Sequence, residues 1–305
     1  MAERPTIHVP VMPREVIEWL DPRPGKIIVD GTLGGGGHTR LLAQRLGDSG
    51  GFVLALDRDA GALAAAEQSL AGLSVKIAQA NFCDLAGVLD ELEIAAVDGV
   101  LLDLGLSSDQ LADESRGFSF EATGELDLRF NTAEGQPAWQ LLSRLKENEI
   151  ADIIFQFGEE RYSRRIARRI ALARATRPIR TAGELADLVR RTVPRSADRI
   201  DPATRTFQAL RIAVNRELES LDLALQRIPD RLKPGGRLAI ISFHSLEDRR
   251  VKEAFRSDQR LENLTKKPIR PSDAEIQSNP RSRSAKLRVA RGVSALMACG
   301  DSSGD

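Results

Sequence analysis

The residues best able to do chemistry stand at the ends of short apolar runs. After Ile27-Ile28-Val29 comes Asp30-Gly31-Thr32-Leu33-Gly34-Gly35-Gly36-Gly37-His38-Thr39, ahead of a helical stretch. Backbone without side chains there lets a ligand approach the N-terminus of the helix. Asp57, twenty-one residues beyond Gly36, closes a second apolar run, where an aspartate can accept hydrogen bonds from a ribose diol. Loop and carboxylate together suggest an adenosine cofactor. The dinucleotide fingerprint would need glycine three places after Gly36, where Thr39 stands. The triphosphate-binding loop is excluded because no Gly-Lys-Ser or Gly-Lys-Thr follows. S-adenosylmethionine fits better, since it offers a ribose diol and an amino-acid tail but no pyrophosphate, and methyl transfer is the chemistry it implies.

A third run ends in Leu101-Leu102-Asp103-Leu104-Gly105-Leu106-Ser107-Ser108-Asp109-Gln110. In an open α/β sheet, ligands bind at the carboxyl ends of strands near the point where strand order reverses, so Asp103 would face the reactive end of the cofactor. Gly105 to Asp109 is not a nucleophile elbow, because its last residue is aspartate, and Ser107 is therefore no nucleophile. His244 could line an acceptor pocket, but a histidine there reads more simply as a structural hydrogen-bonder. Phe243 could stack on a displaced base, with core packing the simpler role. Cys83 and Cys299 lie far apart and the three histidines are scattered, so neither a metal site nor a disulfide is expected.

These positions need a parallel sheet to hold them. Ile27–Val29, Phe52–Leu56, Val75–Ala78 and Val97–Leu102 read as strands, with helical stretches at Thr39–Leu46 and Ala60–Leu70 between them. From Pro137 to about Val193 the text is helical without a convincing strand. A long helix is expected from about Ala203 to Leu225 on the stripe Phe207, Leu210, Val214, Leu218, Leu221 and Leu225. Pro234-Gly235-Gly236 marks a turn before a buried strand at Leu238–Ile241. Thr265 to Arg283 reads as an irregular loop ahead of a last strand near Leu287–Ala290. The expectation is a discontinuous α/β domain, 1–112 with 207–305, and an inserted helical domain, 113–206. Apolar residues at 42% and charged residues at 29% suit a folded globular chain of 305 residues. Uncharged stretches stop near nine residues, where a membrane helix needs about 20, and no signal-peptide layout opens the chain. A cytoplasmic location without membrane attachment is expected.

The formal net charge of zero hides an asymmetry. The first 150 residues hold 12 basic and 24 acidic side chains, the remaining 155 hold 32 and 20. Residues 161 to 195 carry 11 arginines against Glu184 and Asp187. Arg161, Arg164, Arg165, Arg168 and Arg169 recur at helical spacing and would share one face, with Ile166 and Ile170 on another. Such a stripe binds phosphates. Arg281 to Arg291 forms a second basic stretch. Aromatic content of 4% disfavours a generic single-strand stacking platform and leaves structured RNA as the better fit.

Motifs through nearly the whole chain resemble the bacterial small-subunit (16S) ribosomal RNA cytosine-N4 methyltransferase family. They are His8-Val9-Pro10-Val11, Gly36-Gly37-His38, Asp57-Arg58-Asp59, Leu102-Asp103-Leu104-Gly105 with Ser107-Ser108 and Gln110, and Arg116-Gly117-Phe118-Ser119-Phe120. Leu126-Asp127-Leu128-Arg129, Gly158-Glu159-Glu160-Arg161, Ala203 through Arg211, and Ile241 through Arg249 continue the series. The resemblance implies a class I (Rossmann-like) S-adenosylmethionine-dependent methyltransferase fold with a helical insertion. It also implies S-adenosylmethionine as donor, and 16S ribosomal RNA, within the small ribosomal subunit, as partner. A homodimer is left open. Carried over by motif, cofactor contacts would be Gly36, Gly37, His38, Asp57, Phe82, Asp103 and Gln110.

An exocyclic cytosine amine is a poor nucleophile, because its lone pair is delocalised into the ring. It must be held in line with the methyl group and relieved of hydrogen. Asp103, or a carbonyl beside it, is the catalytic candidate; Leu104-Gly105-Leu106 stands where many amine methyltransferases carry Pro-Pro-aromatic. Attack by nitrogen needs no cysteine adduct, in keeping with Cys83 lying outside any Pro-Cys motif. The alternatives are a small-molecule or protein methyltransferase, whose substrate affinity should depend little on salt, and an RNA-binding assembly factor, which would bind cofactor without turnover.

Overall fold

The computed structural model describes residues 9–48, 50–120, 122, 124–194 and 201–293. His8 and Cys299, named above, and Arg195, the last of the 11 arginines counted, lie outside them. The chain divides into two units, the first made of residues up to Ser107 and from Leu218 onward, the second of Ser108–Glu217.

The first unit begins with α1 (Pro13–Leu20), β1 (Ile27–Asp30), α2 (Gly37–Leu46), β2 (Phe52–Asp57), α3 (Ala60–Ser69), β3 (Val75–Gln79), α4 (Leu85–Glu91) and β4 (Val97–Asp103). The second holds α5 (Ser108–Ala112), α6 (Ala138–Arg144), α7 (Glu147–Gly158), α8 (Ser163–Thr176), α9 (Ala182–Thr192) and α10 (Thr204–Asn215). From α11 (Glu217–Arg227) the chain returns to the first unit with β5 (Leu232–Ser242), α12 (Ser245–Ser257), β6 (Leu261–Asn263), α13 (Asp273–Ser278) and β7 (Lys286–Gly292).

The seven strands form one sheet in the order β3-β2-β1-β4-β5-β7-β6. β1 to β5 run parallel and β7 is antiparallel to β5 and to β6. This is the class I methyltransferase sheet, with strand order reversing between β1 and β4. Period-two alternation covers both faces. Val29, Leu54, Val100, Leu102, Leu238 and Ile240 join Leu85, Leu89, Leu221, Leu225, Val251 and Phe255 in one core. Ile28, Val53, Leu101, Ala239, Ile241 and Leu287 pack with Val16, Leu20, Leu42 and Leu46 in the other. Strands buried on both sides read as continuous apolar runs, which explains the legibility of β1, β2 and β4.

Three expectations need correction. The helix expected over Ala203–Leu225 is two helices, because Arg216 turns left-handed at φ 52°. The cause is tertiary. Asn215 accepts from the Phe130 amide at 2.7 Å and donates to the carbonyls of Leu128 at 2.7 Å and Arg211 at 2.9 Å. Second, α10 packs on α7, so the second unit reaches Glu217 and is wider than the 113–206 read from sequence. Third, Thr265–Arg283 is not structureless. Ile269 bridges Leu287, and Ser272 caps α13 by accepting from the Glu275 amide at 3.2 Å. No helix among the described residues is long and apolar enough to cross a membrane.

Candidate active site and basic face

The carboxyl ends of β1, β2 and β4 bring the glycine loop, Asp57 and Asp103 together. Asp30, the last residue of β1, is 1% exposed; its carboxylate accepts from the Thr39 hydroxyl at 2.7 Å and the Thr32 amide at 3.2 Å. Burial pushes this carboxyl up, against the pull of His38 and the two donors. The Leu33 amide is tied to the Leu56 carbonyl at 2.9 Å and the Gly36 amide to the Leu33 carbonyl at 2.8 Å. Gly36 then takes φ 76° and leaves α2 without a side-chain cap. A side chain would strain that turn, and the uncapped helix end presents free amides to a ligand.

Asp57 holds the loop from the next strand. One carboxylate oxygen accepts from the Gly34 amide at 2.8 Å and the other from the Asp59 amide at 2.9 Å. Burial raises its carboxyl although both amides oppose the rise. Asp59 in turn caps α3 by accepting from the Gly61 amide at 3.0 Å. Phe82 follows β3 at the start of a short 3₁₀ turn, half-buried against the sheet core.

Asp103 ends β4. Its amide donates to the Thr32 hydroxyl at 2.7 Å, which locks strand end to loop. Its carboxylate lies 3.6 Å from Nε2 of His38. His38 is 5% exposed, and neither ring nitrogen has a hydrogen-bond partner among the described residues. Buried polar atoms are rarely left so. Two open imidazole nitrogens, the free amides of α2 and a neighbouring carboxylate are the donor and acceptor set that an amino-acid tail requires, and the site therefore fits S-adenosylmethionine. Gln110 lies in α5, at the start of the second unit.

The loop after β4 is fastened at two points. The Leu104 amide donates to the Ile241 carbonyl at 3.0 Å, and Arg281 donates to the Leu106 carbonyl. A Cβ on Gly105 would stand 2.7 Å from the Phe243 ring, so only glycine lets this backbone lie on the aromatic. Phe243 thereby supports the loop and packs into the core. His244 has a structural duty as N-cap of α12. Its Nδ1 accepts from the Glu247 amide at 3.4 Å, while Glu247 accepts from the amides of Phe243 at 2.8 Å and His244 at 3.3 Å. Cys83 is buried, which pushes its thiol up.

In the second unit, α8 buries Ile166, Ala167 and Ile170 and exposes Arg164, Arg165, Arg168 and Arg169. Arg161 precedes the helix, over the Tyr162 ring at 4.8 Å. Four other arginines counted in that stretch are committed. Arg174 donates to the Leu142 carbonyl, Arg177 pairs with Glu184, Arg180 with Glu125, and Arg190 with Asp187 and Asp201. The stretch Arg281–Arg291 is not a free basic face either. Lys286 and Arg288 both reach Asp248, at 3.0 and 2.7 Å, and Arg291 pairs with Glu262.

Sequence reasoning gave Asp30 and Thr32 no role of their own and read Arg281 only as part of a basic stretch. Asp30 carried a signal, being a carboxylate directly after an apolar strand and before glycines. The hydroxyl of Thr32 and the reach of Arg281 across 175 residues carried none.

A class I sheet with a glycine loop and carboxylates ending β2 and β4 is the architecture of S-adenosylmethionine-dependent methyltransferases. The sequence pattern of the MraW methylase family matches residues 5–293, and the chain belongs to that family. A relative from Rhodopirellula baltica, named ribosomal RNA small subunit methyltransferase H, is 53% identical over 299 residues, covering 94% of this chain and 92% of its own. One of the same name from a Cyanothece species is 50% identical over 292 residues, covering 95% and 96%. Among solved structures, an rRNA methylase from Streptococcus thermophilus is 16% identical at a TM-score of 0.43, covering 96% of this chain and 99% of that one.

Proposed function

We propose that the chain transfers a methyl group from S-adenosylmethionine to the exocyclic N4 amine of a cytosine in the 16S RNA of the assembled small ribosomal subunit, in the cytoplasm. Methyl transfer, this donor and ribosomal RNA as acceptor accord with membership of the family and the names its relatives bear. The observation that carries the reading is the meeting of loop, Asp57, His38 and Asp103 at one edge of the sheet, where strand order reverses.

The cofactor supplies an electrophilic methyl group on a sulfonium centre. Asp57 accepts from the ribose diol while keeping the loop closed through Gly34. Gly36, Gly37 and His38 receive the amino-acid tail at the N-terminus of α2, and Phe82 completes the contacts from the first unit. Asp103 accepts a hydrogen bond from the target amine, favouring charge development on nitrogen. The loop Leu104–Leu106, held by Phe243 and Arg281, fixes where that amine stands. The inserted helical unit, Ser108–Glu217, contributes RNA recognition through Arg161, Arg164, Arg165, Arg168 and Arg169, whose guanidinium groups meet phosphates.

The test supplies labelled cofactor with small subunits lacking the modification and, separately, with naked 16S RNA. Label in the particle and little in naked RNA is the expected result. The reverse pattern overturns the assembled subunit as substrate, and absence of label in both overturns the function. Sedimentation of the same preparation reads whether two copies pair.

A further inference from the structure

Between α8 and α9 runs a groove of about 660 Å³, within the roughly 300 to 1,000 Å³ typical of ligand sites. Its floor is aliphatic, with Ile179 buried and Ala173 and Leu188 half-buried, and the exposed Leu172 and Pro178 stand at its rim. Arg169 rises from α8 on one wall and Arg191 from α9 on the other; both are exposed and neither is ion-paired among the described residues. Glu184 and Asp187 also line it; the Glu184 carboxylate is taken by Arg177 and by the amides of Arg180 and Thr181, while Asp187, paired with Arg190 at 3.3 Å, keeps its side chain 61% exposed.

Resting on the RNA reading above, we infer that this groove seats one unstacked nucleotide of the RNA, other than the methylated one. The flanking phosphates lie on Arg169 and Arg191, the base lies on the aliphatic floor, and its amino hydrogens face the exposed carboxylate of Asp187. A nucleotide combines an anion, a flat apolar face and N–H donors within one unit. An acidic peptide would answer the arginines but set its side chains against the two carboxylates. The free arginines of α8 continue from the groove mouth, so a strand leaving it meets further cations.

The experiment measures affinity for small subunits across a salt series for wild type, the double variant Arg169→Ala/Arg191→Ala, and Ala173→Met, which fills the floor without altering charge. The double variant is expected to lose at least about tenfold in affinity, and its slope of log affinity against log salt should shrink by about 1.4, two single-strand phosphate contacts. Ala173→Met is expected to lose about tenfold with its slope unchanged. Cofactor affinity and melting temperature, unchanged in both variants, exclude misfolding. Wild-type affinity in Ala173→Met overturns the seat in favour of surface charge, and an unchanged slope in the double variant overturns the phosphate contacts. Should wild type methylate the particle while both variants bind like it, the groove alone is refuted. No methylation by wild type refutes the underlying function instead.

Discussion

Replacing Asp57 with asparagine changes one atom and sets two amides against each other. The carboxylate accepts from Gly34 at 2.8 Å and Asp59 at 2.9 Å, one oxygen each. Asparagine has a single oxygen, so one of these N–H groups must face an NH2 donor. Hydrogen bonds to a charged acceptor contribute about 1.5 to 3 kcal/mol each, a neutral one about 1, and an unpaired buried amide costs about 1 to 3. The closed loop is therefore destabilised by about 2 to 4 kcal/mol. If the cofactor requires that loop, the whole amount appears in its affinity, a weakening of roughly 30- to 1,000-fold. Titration calorimetry with S-adenosylmethionine reads it, and thermal melting shows that the variant is folded. Because burial raises the Asp57 carboxyl, wild-type affinity should begin to fall on acidification above the usual aspartate range near 3.8, and Asp57→Asn should lack that fall. Affinity within threefold of wild type would refute the reasoning.

Other outcomes follow from the same geometry. Asp103→Asn should lower kcat by about a hundredfold or more with a smaller change in KM for the cofactor; equal losses in binding and turnover would reduce Asp103 to holding the cofactor. Gly105→Ala drives a methyl group into Phe243, and turnover should fall at least about tenfold while calorimetric cofactor affinity stays within threefold, as a 1 Å misplacement of an acceptor can cost about a hundredfold. Asp248→Asn strips Arg288, 4% exposed, of its partner and should cost about 3 kcal/mol at pH 7 by urea unfolding. Burial pushes the Asp248 carboxyl up, but Arg288 and Lys286 together hold it below its ordinary value. Its contribution is thus full above the unfolded pKa near 3.8 and lost as pH falls through the depressed one. Equal destabilisation at pH 7 and below pH 3 would contradict the pairing.

Much of the first unit was legible because β1, β2 and β4 are buried on both faces and end in carboxylates. Asp30, Asp57 and Asp103 each stop an apolar run, and the structure places all three at the same edge of the sheet. Local patterning failed where distant side chains decide the outcome. The stripe from Phe207 to Leu225 continues through the break at Arg216, because α10 and α11 both bury it, and the cause is Asn215 bonding to backbone 85 and 87 residues away. Charge counting likewise sees arginines but not their partners. Arg177, Arg180, Arg190, Lys286, Arg288 and Arg291 are spent on acids, while Arg164, Arg165, Arg168 and Arg169 stand exposed beside the apolar face of α8.

The most direct test is the identity of the product nucleoside. Small subunits lacking the modification are incubated with the protein and methyl-labelled S-adenosylmethionine, and the digested 16S RNA is resolved by mass spectrometry. Label in cytidine bearing the methyl group on its exocyclic amine is the expected result, since the site offers Asp103 to an amine, and Cys83, the cysteine among the described residues, is buried in the sheet core. Label on cytosine C5, or on any other base, would contradict the account.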